Sequence, residues 1–126
     1  MLIDLPAKCI SVKPFSAWAI IHGGKLVENR SRRTPYRGPL LIHASNYRSQ
    51  DELEEDFAYV QRLCPSVPHT VDAGGIIGRV ELVGSGDGSA CIWAQPGMVH
   101  WLLASPEPLP FVECKGWLNV WTLKTL

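Results

Sequence analysis

Gly23-Gly24-Lys25-Leu26-Val27-Glu28-Asn29-Arg30 is a short polar stretch set between two apolar ones. Ala17-Trp18-Ala19-Ile20-Ile21 precedes it, and Gly38-Pro39-Leu40-Leu41-Ile42-His43-Ala44 follows. A lysine, a glutamate and an arginine held so closely between core-forming segments describe a site built into a fold rather than a surface turn. The paired glycines stop a helix. Leu26 to Ser31 then reads as extended, and alternation puts Glu28 and Arg30 on one face, Val27 and Asn29 on the other.

Working outward, Cys9-Ile10-Ser11-Val12 reads as a first strand, and Pro14 opens a helix that runs from Phe15 to His22. Phe15, Trp18, Ala19 and His22 share one stripe of it. On the other side, Arg32-Arg33-Thr34-Pro35 is a loop and Leu40 to Ser45 a strand. Leu40, Ile42 and Ala44 fall on one face of that strand; Leu41, His43 and Ser45 fall on the other. Ser49 and Glu52 form a capping box ahead of a second helix. Its acids suit the positive end of the helix dipole, its buried stripe is Leu53, Phe57, Val60 and Leu63 or Cys64, and Pro65 ends it. Residues 65–75 read as loop, Ile76 to Val83 as strand, and the glycine-rich segment 84–89 as a flexible connector without the helix a phosphate loop needs. Val99 to Leu103 is strand or short helix. Phe111 to Cys114 and Leu118 to Leu123 are final strands, with the prolines at 106, 108 and 110 keeping the intervening chain extended. About six short strands and two helices give an α+β domain, a small barrel flanked by helices, with an α/β sandwich left open by pattern alone.

At 126 residues, 46% apolar and 19% charged, the chain has the size and core-forming content of one globular domain. Its zero formal net charge points to no particular partner. The distribution says more: Lys13, Lys25, Arg30, Arg32, Arg33 and Arg37 are six of the twelve basic residues, opposed locally only by Glu28. Such a face attracts phosphate, or else is solvated loop. Cys9, Cys64, Cys91 and Cys114 lie apart in apolar surroundings and read as reduced core residues of a cytoplasmic protein. No apolar run reaches the roughly 20 residues that span a membrane, and no secretory leader is evident.

Lys25 offers a compact cation and Arg30 a planar fork, both suited to phosphate or carboxylate. Glu28 can hold them in place, or act as an acid or base. From spacing alone, a structural ion pair between Glu28 and Arg30 is the simpler reading. His43 and Ser45 share a strand face, where a satisfied histidine is the simpler reading than a nucleophile and base. The four histidines and four cysteines show no paired metal-ligand spacing, and no cofactor is implied. Trp93, His100 and Trp101 cluster late in the chain, as core or as a surface for stacking bases.

Residues 23–30 resemble the GxKxxExR signature of the ASCH domain family, a branch of the PUA-like superfamily. The likeness continues through Thr34-Pro-Tyr36-Arg37-Gly38-Pro-Leu-Leu-Ile-His43-Ala44-Ser45, Gly78-Arg-Val-Glu81-Leu, Trp93-Ala-Gln and His100-Trp101-Leu. It implies one ASCH domain over residues 1–126, a PUA-like β-barrel flanked by two or more helices, and a cleft between barrel and helices. It also implies RNA, or a nucleotide or nucleoside, as ligand, met by Trp18, Lys25, Glu28, Arg30, Tyr36, Arg37, His43, Ser45 and Glu81. Some relatives are ribonucleases. Others hydrolyse the acetyl amide of N4-acetylcytidine with a lysine, a threonine and a glutamate. Lys25 matches that lysine, Glu28 stands where the threonine would, and Glu81 is the counterpart offered for the glutamate. Many relatives carry Gln-Pro-Trp-Ala before the first helix; this chain has Lys13-Pro14-Phe15-Ser16-Ala17-Trp18, which alters one wall of the cleft. The resemblance therefore implies a binding domain first. A hydrolase using Lys25 and Glu28, or a protein-interaction module with an inactive cleft, are the alternatives.

Overall fold

The computed structural model describes residues 3–126. Its elements are β1 (Ala7–Val12), α1 (Pro14–His22), β2 (Val27–Arg30), β3 (Gly38–Ala44), α2 (Gln50–Leu63), β4 (Gly75–Gly86), β5 (Val99–Glu113) and β6 (Trp121–Leu123). The strands form one sheet in the order β2-β5-β4-β3-β1-β6. β1 and β3 are parallel; every other pair is antiparallel. The parallel pair needs a crossover, and α1 with β2 supplies it. β2 is thereby carried to the far end of the sheet, yet its Arg30 reaches back to the backbone of Ser11 in β1. The architecture is the expected α+β one. The sheet curls, but no ladder joins β2 to β1 or β6, so it is not a closed barrel.

Burial explains the order of the elements. Leu40, Ile42 and Ala44 of β3 pack with Ile10 and Val12 of β1, Ala17, Ile20 and Ile21 of α1, and Val80 and Leu82 of β4. Leu41, on the opposite face of β3, joins Cys9, Ile76, Trp121 and Leu123 in a second cluster. A central strand covered on both faces is apolar throughout, which is why β3 reads as a continuous run. α1 is also buried nearly all round. Phe15 and Ala19, on its other side, meet Val60 of α2, Val27 and Trp93 in a third cluster. β2 and the two helices are thus clamped together.

Several boundaries differ from the sequence reading. β4 continues to Gly86, because Ser85 and Gly86 pair with Trp101 and His100 instead of forming a free connector. Residues 99–113 are a single strand, not two strands with a spacer. Prolines at alternate positions turn their nitrogens to one edge, and β2 pairs only with Val99–Leu102, leaving an edge of β5 free beyond. β6 begins only at Trp121, since Asn119 adopts a left-handed φ of 60° that ends any earlier strand. The capping box ahead of α2 is shifted by one residue. Ser49 Oγ accepts from Glu52 N as expected, but the Glu52 carboxylate accepts from Arg48 N.

Candidate functional site: a cleft floored by a buried Lys–Glu–Arg chain

α1 ends on Gly23, whose N–H donates to Ala19 O, and Gly24 follows at φ 77°, a conformation that favours glycine. Lys25 N also donates to Ala19 O, which turns the lysine inward. Its side chain is only 2% exposed. Nζ donates to Val27 O at 2.7 Å and to Glu28 Oε1 at 3.3 Å. Two of its three donors are used. A buried ammonium needs such partners, because desolvating it alone costs several kcal/mol or more.

Glu28 is buried, and both of its oxygens are occupied. Oε2 accepts from Arg30 Nε at 3.0 Å and lies 2.9 Å from Arg30 Nη2. Nη2 also donates to Ser11 O at 3.0 Å. The Arg30 guanidinium lies 5.3 Å from the centre of the Trp101 ring. Alternation along β2 does place Glu28 and Arg30 together, and the link from Lys25 to Glu28 to Arg30 to Ser11 runs from the end of α1 across to β1. The ion pair seen in the spacing is therefore real and is also the floor of a cavity.

That cavity, about 480 Å³, is the cleft between sheet and helices. Its far wall is Glu55, Asp56 and Tyr59 of α2; Lys13 and Ser16 stand at the start of α1, and Gln95 closes one side. Asn29 pins the Gln95 loop: its Nδ2 donates to Trp93 O and its Oδ1 accepts from Gln95 N. Tyr59 OH donates to Trp93 O as well, and burial together with the Glu28 charge pushes the phenol pKa up. Asp56 accepts from Phe15 N, Ser16 N, Ser16 Oγ and Tyr47 OH, so it is saturated. Burial and the bond to Asp56 likewise push Tyr47 up, keeping it a donor. The lining carries three cations (Lys13, Lys25, Arg30) against three acids (Glu28, Glu55, Asp56), so it has no net charge.

Of the nine residues implied by the signature and its neighbours, the structure brings Lys25, Glu28 and Arg30 to this cleft and leaves six elsewhere. Trp18 is half-buried against the third core cluster, beside Pro68 and Val71. Tyr36 OH donates to Pro39 O, and Arg37 Nη1 donates to Thr34 O and Tyr36 O. Glu81 lies on β4 between the buried Val80 and Leu82, on the opposite side of the strand, and its charge reaches Tyr36. His43 and Ser45 line a different cavity, with Trp117 and Leu118. Arg33 is spent on Ser85 O and Asp87, so the basic run does not assemble into one face. Trp93, His100 and Trp101 are buried.

Lys13 and Ser16 stand in the stretch expected to shape one wall; the residues not anticipated are Ser11, Asn29, Glu55, Asp56, Tyr59 and Gln95. One carried a readable signal: Asp56 falls three residues after Leu53 and four before Val60, on the apolar stripe of α2. A carboxylate there must have partners.

Among the described residues, no group of three or more His, Cys, Asp or Glu side chains is placed to hold a metal ion, and no helix is long and apolar enough to cross a membrane. A search of the curated proteins finds no match to the chain. The family model of the ASCH domain matches residues 10–88, a span that holds Lys25, Glu28, Arg30 and the α2 wall of the cleft, and the chain belongs to the ASCH domain family.

Proposed function

We propose that the protein binds RNA, or a nucleotide or nucleoside, in the cleft floored by Lys25, Glu28 and Arg30. The buried Lys25–Glu28–Arg30 chain is the observation that carries this reading. Charged groups are retained in a cavity at a desolvation cost, and here one Lys25 donor and the Arg30 Nη1 donors have no partner among the described residues. The balanced lining suits the polar edge of a base, with its mixed donors and acceptors, better than a row of phosphates. Lys25 and Arg30 donate to carbonyl or ring-nitrogen acceptors. Glu28 fixes both cations, and Glu55 is the free carboxylate available to an amino group.

Binding is favoured over hydrolysis by the state of Glu28. Each of its oxygens is already bound to a cation, so it must give one up before it can take a proton from water. The test is a thermal-shift and calorimetric screen of nucleosides, nucleotides and short RNAs. A specific ligand raises the melting temperature by mass action, and Arg30→Ala weakens it by about tenfold or more, the worth of a charged hydrogen bond. Ligand binding that is unaffected by both Arg30→Ala and Lys25→Ala, in variants that melt cooperatively, sinks the reading.

A further inference from the structure

Trp117 is 57% exposed and Leu118 is 88% exposed. Both sit in residues 114–120, a segment held firmly from below. Cys114 N donates to Gly74 O, and Cys114 O accepts from His43 Nε2 at 2.8 Å. A carbonyl only accepts, so His43 carries its proton on Nε2. In the neutral ring Nδ1 then accepts from Ser11 Oγ at 3.1 Å, and Ser11 Oγ accepts from Trp121 Nε1 at 3.2 Å. Gly116 closes over this chain so tightly that a Cβ there would collide with Ser11 Oγ and the His43 ring. Asn119 adds a left-handed backbone, a conformation that costs energy in a residue other than glycine. The exposure of the indole is therefore built by its support.

The cavity beneath it is about 420 Å³, within the range of about 300–1,000 Å³ for small-molecule sites. Trp117 and Leu118 form its apolar side, Lys115, Asn46 and Ser45 its polar side. Lys115 Nζ lies over one face of the Trp117 ring, 4.4 Å from its centre, so a base stacks on the other face of the exposed indole. An aromatic ring that carries an ammonium matches a stacked base with a phosphate close by. Ser11 lines both this cavity and the main cleft: its carbonyl accepts from Arg30 on one side, and its hydroxyl meets His43 on the other.

We infer that the Trp117 pocket is a second nucleotide subsite, so that the ligand of the cleft is a single strand of at least two nucleotides passing over Ser11. This rests on the nucleoside-binding reading of the cleft. The base in the second subsite stacks on Trp117, its edge meets Asn46, and Lys115 takes the connecting phosphate.

The test measures binding of the four ribonucleosides and the sixteen dinucleoside monophosphates by calorimetry. At least one dinucleoside monophosphate is expected to bind about 5- to 100-fold more tightly than its nucleosides, the worth of one stacked base. Trp117→Ala should erase that gain and leave nucleoside affinity unchanged; the side chain is too exposed for its loss to unfold the protein. Lys115→Gln should weaken dinucleoside monophosphate binding and reduce its loss with added salt, as expected when one screened contact to a phosphate is removed. Three results overturn the inference: no dinucleotide gain, a gain that survives Trp117→Ala, or a halving of solution molar mass by Trp117→Ala, which makes the face a contact between two copies of the chain. Nucleosides that bind through Arg30 without a dinucleotide gain overturn the second subsite alone. A dinucleotide gain that depends on Trp117 but not on Arg30 overturns the cleft reading instead, and binding of neither overturns both.

Discussion

Glu52 and Asp56 sit one turn apart on α2 and do related work at very different reach. Both are carboxylates from one acidic run, and both accept backbone N–H groups where a helix begins. Glu52 takes Arg48 N and the Arg48 guanidinium, just ahead of its own helix. Asp56 takes Phe15 N and Ser16 N at the start of α1, some forty residues away in sequence. α1 has Lys13 at its N-cap position and no side-chain cap of its own, so a carboxylate from α2 fills that role. Glu52 decorates one helix, whereas Asp56 fastens two. Because α1 and α2 are two sides of the cleft, Asp56 also sets the width of the site.

The comparison predicts unequal consequences. Asp56→Ala should be the most damaging substitution, by about 3 kcal/mol or more in chemical denaturation, because it removes the acceptor of Ser16 N and of two hydroxyls in a buried place and leaves Phe15 N only Tyr47 OH. Asp56→Asn keeps one carbonyl acceptor and should recover part of the loss. If Asp56→Ala costs less than 1 kcal/mol, water replaces the carboxylate and the cross-helix cap is ornamental. Ser49→Ala removes the local cap of α2 and should cost about 1 kcal/mol, the usual worth of an N-cap hydroxyl. A loss as large as that of Asp56→Ala would erase the distinction between local and distant caps.

The same distinction decides what could be read from the chain. Ser49 and Glu52 announce α2 by their spacing, and Gly23-Gly24 announces the end of α1, because the chemistry is complete within four residues. The alternation in β2 sets Glu28 beside Arg30, and the continuous apolar run of β3 marks a strand covered on both faces. Partners far apart were not legible. Asp56 bonds across 41 and 40 residues to Phe15 and Ser16, and Ser11 meets His43 and Trp121 across 32 and 110. The prolines of β5 misled for a related reason: a proline is tolerated in a strand when its nitrogen faces a free edge, and where the edges lie is fixed by the whole sheet. Arg33 and Arg37 belong to a dense basic run, but each folds back on nearby carbonyls, so charge density along the chain overstated the basic face.

The smallest effect expected is that of Glu52→Gln, and pH exposes it best. The Arg48 backbone N–H holds the Glu52 carboxyl below the ordinary glutamate range; burial opposes it, and the Arg48 guanidinium adds to the lowering. An unfolded glutamate titrates near 4.3. A carboxyl depressed on folding stabilises the protein fully above that unfolded value, and the contribution disappears as pH falls through it to the lowered folded value. The difference in melting temperature between parent and Glu52→Gln should therefore be constant well above the unfolded value of about 4.3 and shrink as pH falls through it. Raising salt should narrow it at neutral pH, because Arg48 is 87% exposed and its pairing is screened. The carboxylate of Asp56, shielded from solvent, should show no such salt dependence in the parallel comparison with Asp56→Asn. A salt response of equal size in both would mean that Asp56 is reached by water, and that the wall between α1 and α2 is looser than its hydrogen bonds imply.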